Sequence, residues 1–213
     1  MTLVTAGVVL ARRPYGEYGR MATLYTRELG RISARFAGVD RPRANLKAFA
    51  EPMICAEYRL YLRPGSAWAT VTGGRLLDTY PGLRSDLERM LGGLEMCELL
   101  WRLTPEHAPS VRKFELITGF LAAYAEVPAA CLPVAFGLRL LELLGLEGAE
   151  GRGPVWEKLV RGAPEDLLSE SFDALELRRL REHVRHAAEA YLQRPLNAPQ
   201  VRASLSAGPE ARA

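Results

Sequence analysis

The sequence predicts an α+β chain in two parts: a small five-strand barrel of the oligonucleotide-binding (OB) type over residues 1–80, then an α-helical bundle over residues 81–205. Two observations carry this. The apolar period is two up to about residue 80, and after Pro81-Gly82 it becomes the period of a helix. The charge reverses at the same place. Residues 1–80 hold 12 Lys and Arg against 6 Asp and Glu, a net of +6, whereas residues 81–213 hold 16 against 19, a net of −3.

The clearest strand is the third, Arg31 to Phe36, in which Ile32, Ala34 and Phe36 face one way and Arg31, Ser33 and Arg35 the other. Four further extended stretches run over Leu3 to Arg13, Arg20 to Arg27, Met53 to Arg63 and Ala67 to Thr79. Turn residues separate them: Pro14-Tyr15-Gly16, Leu29-Gly30 and Pro64-Gly65-Ser66. Five strands in about eighty residues, with a non-strand insert around Arg41 to Pro52, fit a closed Greek-key barrel.

The first helix carries Leu83, Leu87, Leu91, Leu94, Cys97 and Trp101 on one stripe, with Gly92-Gly93 read as a weak spot. The second starts at Ser110 as N-cap and runs through Val111, Phe114, Ile117, Leu121 and Tyr124. The third, Pro133 to Leu144, is apolar on nearly all sides and belongs at the centre of the bundle, with Gly145 as C-cap. Gly145 to Pro154 reads as a flexible link, followed by a short amphipathic piece over Val155 to Val160. The last helix begins at Asp173 with Glu176 completing a capping box, and turns Leu177, Leu180, Val184, Ala188 and Tyr191 inward. Residues 206–213 read as a disordered tail.

Composition removes several classes of function. No apolar run approaches the roughly 20 residues of a bilayer span, and the N-terminus lacks a secretory layout, so the expected location is cytoplasmic. Cys55, Cys97 and Cys131 are odd in number and far apart, which suits small apolar filler better than disulfides or a metal site. There is no phosphate-binding Gly loop, nucleophile elbow or metalloprotease pair, so the expected protein is not an enzyme and takes no cofactor. His183 and His186 read as solvated side chains and not as half of a metal site.

The chemistry lies in the cations. Arg12, Arg13, Arg20, Arg31, Arg35, Arg41, Arg43 and Lys47 crowd the first segment, which also holds nine of the seventeen aromatic residues. Guanidinium groups grip phosphate bidentately and aromatic faces stack on bases, so this segment is the expected nucleic-acid surface. The same residues also suit a simpler role, keeping a small barrel soluble and its strand edges unpaired. Phe36 and Trp68 read as core, whereas Tyr15 and Tyr18 offer candidate stacking faces. Arg178, Arg181 and Arg185 share a face of the last helix, as a second DNA contact or as a solvated face paired with Glu182 and Glu189. Arg112, Lys113 and Arg139 would edge a groove beside the third helix for an apolar peptide with an acidic end.

Taken in order, Gly7-Val-Val-Leu10, Tyr15-Gly-Glu17, Thr23-Leu-Tyr-Thr26-Arg-Glu-Leu-Gly30, Ala37-Gly38 leading into Arg41-Pro-Arg43, Glu51-Pro52 and Tyr80-Pro-Gly-Leu-Arg84 resemble the RecO family of bacterial DNA repair proteins. Arg139-Leu-Leu-Glu-Leu-Leu-Gly145 and Arg194-Pro-Leu196 are similar to its helical half. The resemblance implies a nucleoid-associated recombination mediator that binds single- and double-stranded DNA and anneals complementary strands. It further implies binding to the acidic C-terminal tail of single-strand binding protein and, with RecR, loading of RecA.

Two departures from the family pattern stand out. Many relatives carry a four-cysteine zinc module where this chain has Gly148 to Pro154 without a cysteine, so no zinc is expected. The basic loop is thinner, with Val39-Asp40 and Ala44-Asn45 where further cations or a Ser are common. Two other readings remain at this stage: an OB-fold protein–protein adaptor, and an RNA-binding protein without a repair role.

Overall fold

A computed structural model describes residues 1–148, 152–198 and 201. The expected tail over 206–213 and part of the expected link lie outside the described residues.

Five strands appear where alternation places them: β1 Thr2–Pro14, β2 Arg20–Thr26, β3 Gly30–Phe36, β4 Cys55–Leu62 and β5 Ala69–Asp78. They close into a barrel in the order β1-β2-β3-β5-β4. The first strand is long enough to serve two neighbours, pairing β4 through Thr2 to Val8 and β2 through Gly7 to Pro14. A register shift between Val9 and Ala11 bends it between them. Closure rests on a short parallel contact, Ala34 opposite Ala69 and Arg35 opposite Thr70. The interior holds Val9, Leu24, Ile32, Ala34, Phe36, Tyr58, Leu60 and Val71. The insert before β4 stoppers one end: Val39 and Ala50 join that core, and the Tyr58 hydroxyl donates to Phe49 O at 3.0 Å.

The helices that follow are α1 Leu87–Leu103, α2 Val111–Glu126, α3 Cys131–Leu144, α4 Pro154–Arg161, α5 Pro164–Leu167 and α6 Ala174–Leu192. Asp86, Ser110 and Asp173 cap α1, α2 and α6 by accepting from Arg89 N, Lys113 N and Glu176 N. The apolar α3 is the centre of the bundle and packs on α1, α2, α4 and α6. Gly145 ends it at φ 67°.

Barrel and bundle share one core. Val8, Leu10, Tyr25, Met53 and Cys55 of the barrel pack with Tyr80, Leu83, Met96, Cys97, Leu100 and Phe114. This corrects the reading of Gly92-Gly93 as a weak spot. A Cβ on Gly92 would lie 2.5 Å from the Tyr124 ring, and one on Gly93 would meet the Met53 sulfur, so both glycines serve close packing of α1. At Gly30, with φ 67°, a Cβ would lie 2.5 Å from the Ala108 backbone, so the α1–α2 connection lies directly on this turn. Two expected core positions are also exposed: Leu87, at the very start of α1, and Tyr191, 56% exposed at the end of α6.

Burial explains the three thiols. It pushes Cys55 up to about 11 and Cys97 up to about 12, and raises Cys131. All three are buried, free and protonated at neutral pH.

Candidate nucleic-acid interface

The two-residue alternation of the strands sorts the barrel arginines into two sets. Arg13 lies opposite Met21, Met21 opposite Arg35, and Arg35 opposite Thr70, one outward row across β1, β2, β3 and β5. One residue back, Arg12 lies opposite Ala22, Ala22 opposite Ala34, and Ala34 opposite Ala69, whose alanines face the interior. Arg12 therefore emerges at the barrel rim, where it meets Glu51 at 3.1 Å. Arg20, opposite the interior Phe36, has the same parity; it holds Asp40 at 2.5 Å and Glu51 at 2.7 Å. The hydrogen bond that Arg20 donates to Asp40 raises its pKa further. Arg12 and Arg20 thus form an ion-pair network across the barrel end and leave the candidate surface.

Arg31 leaves it for another reason. It points outward like Arg35, but the helical part covers its end of the strand. Nη1 of Arg31 donates to Trp101 O at 3.1 Å and Nη2 lies 3.9 Å from Glu106. Its strand partner Tyr25 reaches Ser110 O at 3.5 Å, and burial pushes this phenol up to about 12.

What stays open is a coherent surface. Arg13, Arg35, Arg41, Arg43 and Lys47 are exposed, and among the described residues none has an acidic partner. The Arg35 guanidinium lies 5.5 Å from the Tyr15 ring centroid, and Arg41 lies 5.5 Å from that of Tyr18. Tyr15 and Tyr18 belong to the β1–β2 connection, which Asp40 N ties to the next loop by donating to Tyr18 O at 3.1 Å. Trp68 completes the set and corrects its assignment to the core. It is 39% exposed in the β4–β5 connection, 6.1 Å from Tyr15 between centroids at 59°. Ser66 fixes its backbone: the hydroxyl donates to Trp68 O at 2.9 Å and accepts from Trp68 N at 3.3 Å. Arg63, exposed in the same connection, adds a cation that the sequence reading passed over. The Pro64-Gly65-Ser66 turn was the available signal, since it puts Trp68 ahead of the strand.

Geometrically, this is the surface where an OB barrel receives oligonucleotides: the β2–β3 face between the β1–β2 and β4–β5 connections. Guanidinium groups beside tilted aromatic rings offer phosphate pairing and base stacking on one surface.

The helical candidates divide differently. Arg185 is bound to Glu182 at 2.5 Å and to Glu189 at 3.0 Å, and Arg181 faces Glu95 on α1 at 3.6 Å. Arg178 is exposed beside Glu182, whose carboxyl is held low first by its hydrogen bond from Arg185. Arg139 is tied into the fold. It is partly buried, lies 4.8 Å from the Phe120 centroid, and donates to Leu159 O at 2.8 Å and to Gly162 O. It fastens α3 to the carbonyl end of α4. Arg112 is exposed and Lys113 half-buried in the first turn of α2, and burial lowers the Lys113 pKa. From Lys113 to Phe120, where Arg139 sits, α2 rises about 10 Å, so the three do not converge.

Among the described residues, no three or more His, Cys, Asp or Glu side chains are grouped to hold a metal ion, and no helix is long and apolar enough to cross a membrane.

Fold and surface together define a two-part protein, an OB barrel fused to a helical bundle with an open cationic-aromatic face. Residues 1–80 match the family described as Recombination protein O N terminal, and residues 84–147 match Recombination protein O C terminal. The chain belongs to the RecO family. Curated relatives named DNA repair protein RecO include that of Heliobacterium modesticaldum, 36% identical over 140 residues, covering 65% of this chain and 50% of the relative. That of Pelotomaculum thermopropionicum is 36% identical over 138 residues, covering 65% and 53%. That of Rubrobacter xylanophilus is 32% identical over 165 residues, covering 74% and 65%. The first two matches span about half the length of those relatives.

Proposed function

We propose that the protein is a DNA repair and recombination mediator that works without bond-making chemistry, by holding DNA on the open face of its barrel. The observation that carries this is the run of exposed cations, Arg13, Arg35, Arg41, Arg43 and Lys47, which have no acidic partner among the described residues, beside the Tyr15–Trp68 pair. Family membership supports the same reading.

The cations track the phosphate backbone of single- or double-stranded DNA, and the rings accept the bases of a single strand. Annealing follows from neutralisation. Two strands brought together on a cationic surface repel less, while base edges not engaged by the protein remain open to pairing. The proposed partners are the acidic C-terminal tail of single-strand binding protein, RecR and, through RecR, RecA. Within the helical part, Arg112 and Lys113 remain the candidate dock for the acidic tail, because Arg139 is committed to α4. Arg178 supplies a secondary DNA contact. A tail contact of this kind raises the local concentration of the protein where DNA is already coated.

The test is a salt titration of single-strand binding by the whole chain with Arg13, Arg35, Arg41 and Arg43 changed to Ala. Affinity falls for every sequence, and the slope of log affinity against log salt shrinks by about 0.7 for each phosphate no longer neutralised. A quadruple variant that binds like the wild type removes the barrel as the site. Equal-length DNA and RNA strands in the same titration separate the mediator from an RNA-binding protein.

A further inference from the structure

Three guanidinium groups from three separate elements line one cleft between barrel and bundle: Arg31 of β3, Arg102 in the last turn of α1, and Arg194 just past α6. Trp101, Leu192 and Gln193 complete this open cleft of about 510 Å³. Few acids balance these charges. Glu98 is the carboxylate at Arg102, 3.4 Å away, and it already accepts from Asn197 N at 2.8 Å and Ala198 N at 2.7 Å. Arg102 itself is oriented by donating to Pro195 O at 2.5 Å. Glu106 stands 3.9 Å from Arg31, and the Nε of Arg31 is buried with no hydrogen-bond partner. Arg194 is exposed, with no acid paired to it among the described residues. Guanidinium groups from three elements around one open cleft with few acids offer charge-assisted donors to an anion.

The position of the cleft selects the anion. Arg31, Ser33 and Arg35 alternate outward along β3, so the cleft lies on the same strand face as the open cationic surface. The four residues from Arg35 to Arg31 span about 13 Å. A single strand crosses that distance within the roughly 4–16 nucleotides that an OB fold occupies. A polyanion with regularly repeated charge can bridge the two places, and the cleft lacks the deep apolar pocket that would anchor a peptide side chain.

We propose that this cleft is a second phosphate-binding site, in which Arg31, Arg102 and Arg194 hold the backbone of a DNA strand that enters at Arg35 on the barrel. The inference rests on the DNA-binding reading above and extends it to the seam between the two parts. The helical part then contributes to strand binding through the end of α1 and the turn after α6, and the cations of the α6 face are not needed for it.

Arg194 is the residue to test, because it is exposed and, among the described residues, has no side-chain hydrogen bond or ion pair. Fluorescence anisotropy with labelled oligo(dT) of about 5 and about 15 nucleotides measures the affinity gained with length. The wild type binds the longer strand more tightly; Arg194→Ala loses several-fold of that gain and Arg194→Glu loses more, with a salt slope smaller by about 0.7. Circular dichroism of both variants matches the wild type. If Arg194→Glu keeps the full gain while Arg35→Ala weakens both lengths, the cleft is not a strand site and the barrel reading stands. If the wild type binds neither length, the DNA reading itself fails and the proposal fails with it. A labelled poly-aspartate peptide released by Arg194→Glu, with oligonucleotide binding intact, assigns the cleft to an acidic peptide and overturns the proposal.

Discussion

The outer face of the barrel and the outer face of α6 look alike as sequence, each with arginines at the spacing of its own secondary structure. In the structure they differ in company. Arg13 and Arg35 stand on a sheet where Asp40 and Glu51 are held by Arg20 and Arg12, and among the described residues neither is paired with an acid. On α6, Arg185 is held by Glu182 and Glu189 at the intervals that put opposite charges in contact, and Glu95 of α1 reaches Arg181. A basic run becomes a binding surface only where its neighbours leave it unmatched. A count of charge along the chain does not make that distinction; strand parity and helix spacing do.

The sharpest contrast is between a cation that holds the fold and a ring that holds none of it. Arg139→Ala leaves the carbonyls of Leu159 and Gly162 without their donor and removes the cation over Phe120. It is expected to cost about 3 kcal/mol of stability in urea unfolding, with DNA affinity unchanged where the variant is folded. A wild-type midpoint for Arg139→Ala breaks the division between structural and open arginines. Trp68→Ala is the complement. It costs about 1–3 kcal/mol of single-strand affinity through the missing stacking face, with an unfolding midpoint close to the wild type. A loss of stability without a loss of affinity would return Trp68 to the core.

The smallest effect belongs to the seam where the two parts meet. Cys55 and Cys97 have thiol pKa values raised from 9.0 to about 11 and about 12. The unfolded chain therefore releases these protons at lower pH than the folded one does. Their contribution to stability is complete below pH 9 and declines as pH rises toward the folded values, by roughly 1 kcal/mol per thiol at pH 10. Thermal unfolding followed from pH 8 to 10.5 should show this decline, and Cys97→Ala should flatten it. A melting temperature that is level over this range, with Cys97→Ala behaving identically, contradicts it.

Much of the fold was legible because period two and period 3.6 are local properties. All five strands and the long helices lie where alternation and capping residues place them, down to Ser110 and Asp173 as caps. The apolar α3 stands at the centre for the same reason. What escaped was decided by neighbours distant in sequence. Gly92-Gly93 reads as weak until Met53 and Tyr124 are placed against it, and nothing in the spacing of α3 tells that Arg139 meets the carbonyls of α4. Tyr191 has helical spacing, but among the described residues no element covers it. Trp68 was legible in principle: an aromatic after Pro-Gly-Ser sits in a connection before it sits in a strand. The separation of Arg12 from Arg13 was also within reach, since adjacent strand residues point to opposite faces.

One comparison tests the account most directly: single-strand binding by the whole chain, titrated with salt, for two variants side by side. One changes Arg13, Arg35, Arg41 and Arg43 to Ala; the other changes Arg178, Arg181 and Arg185 to Ala. The account predicts a slope smaller by about 3 for the barrel variant and by less than about 1 for the α6 variant. Equal loss from both, or a greater loss from α6, contradicts it.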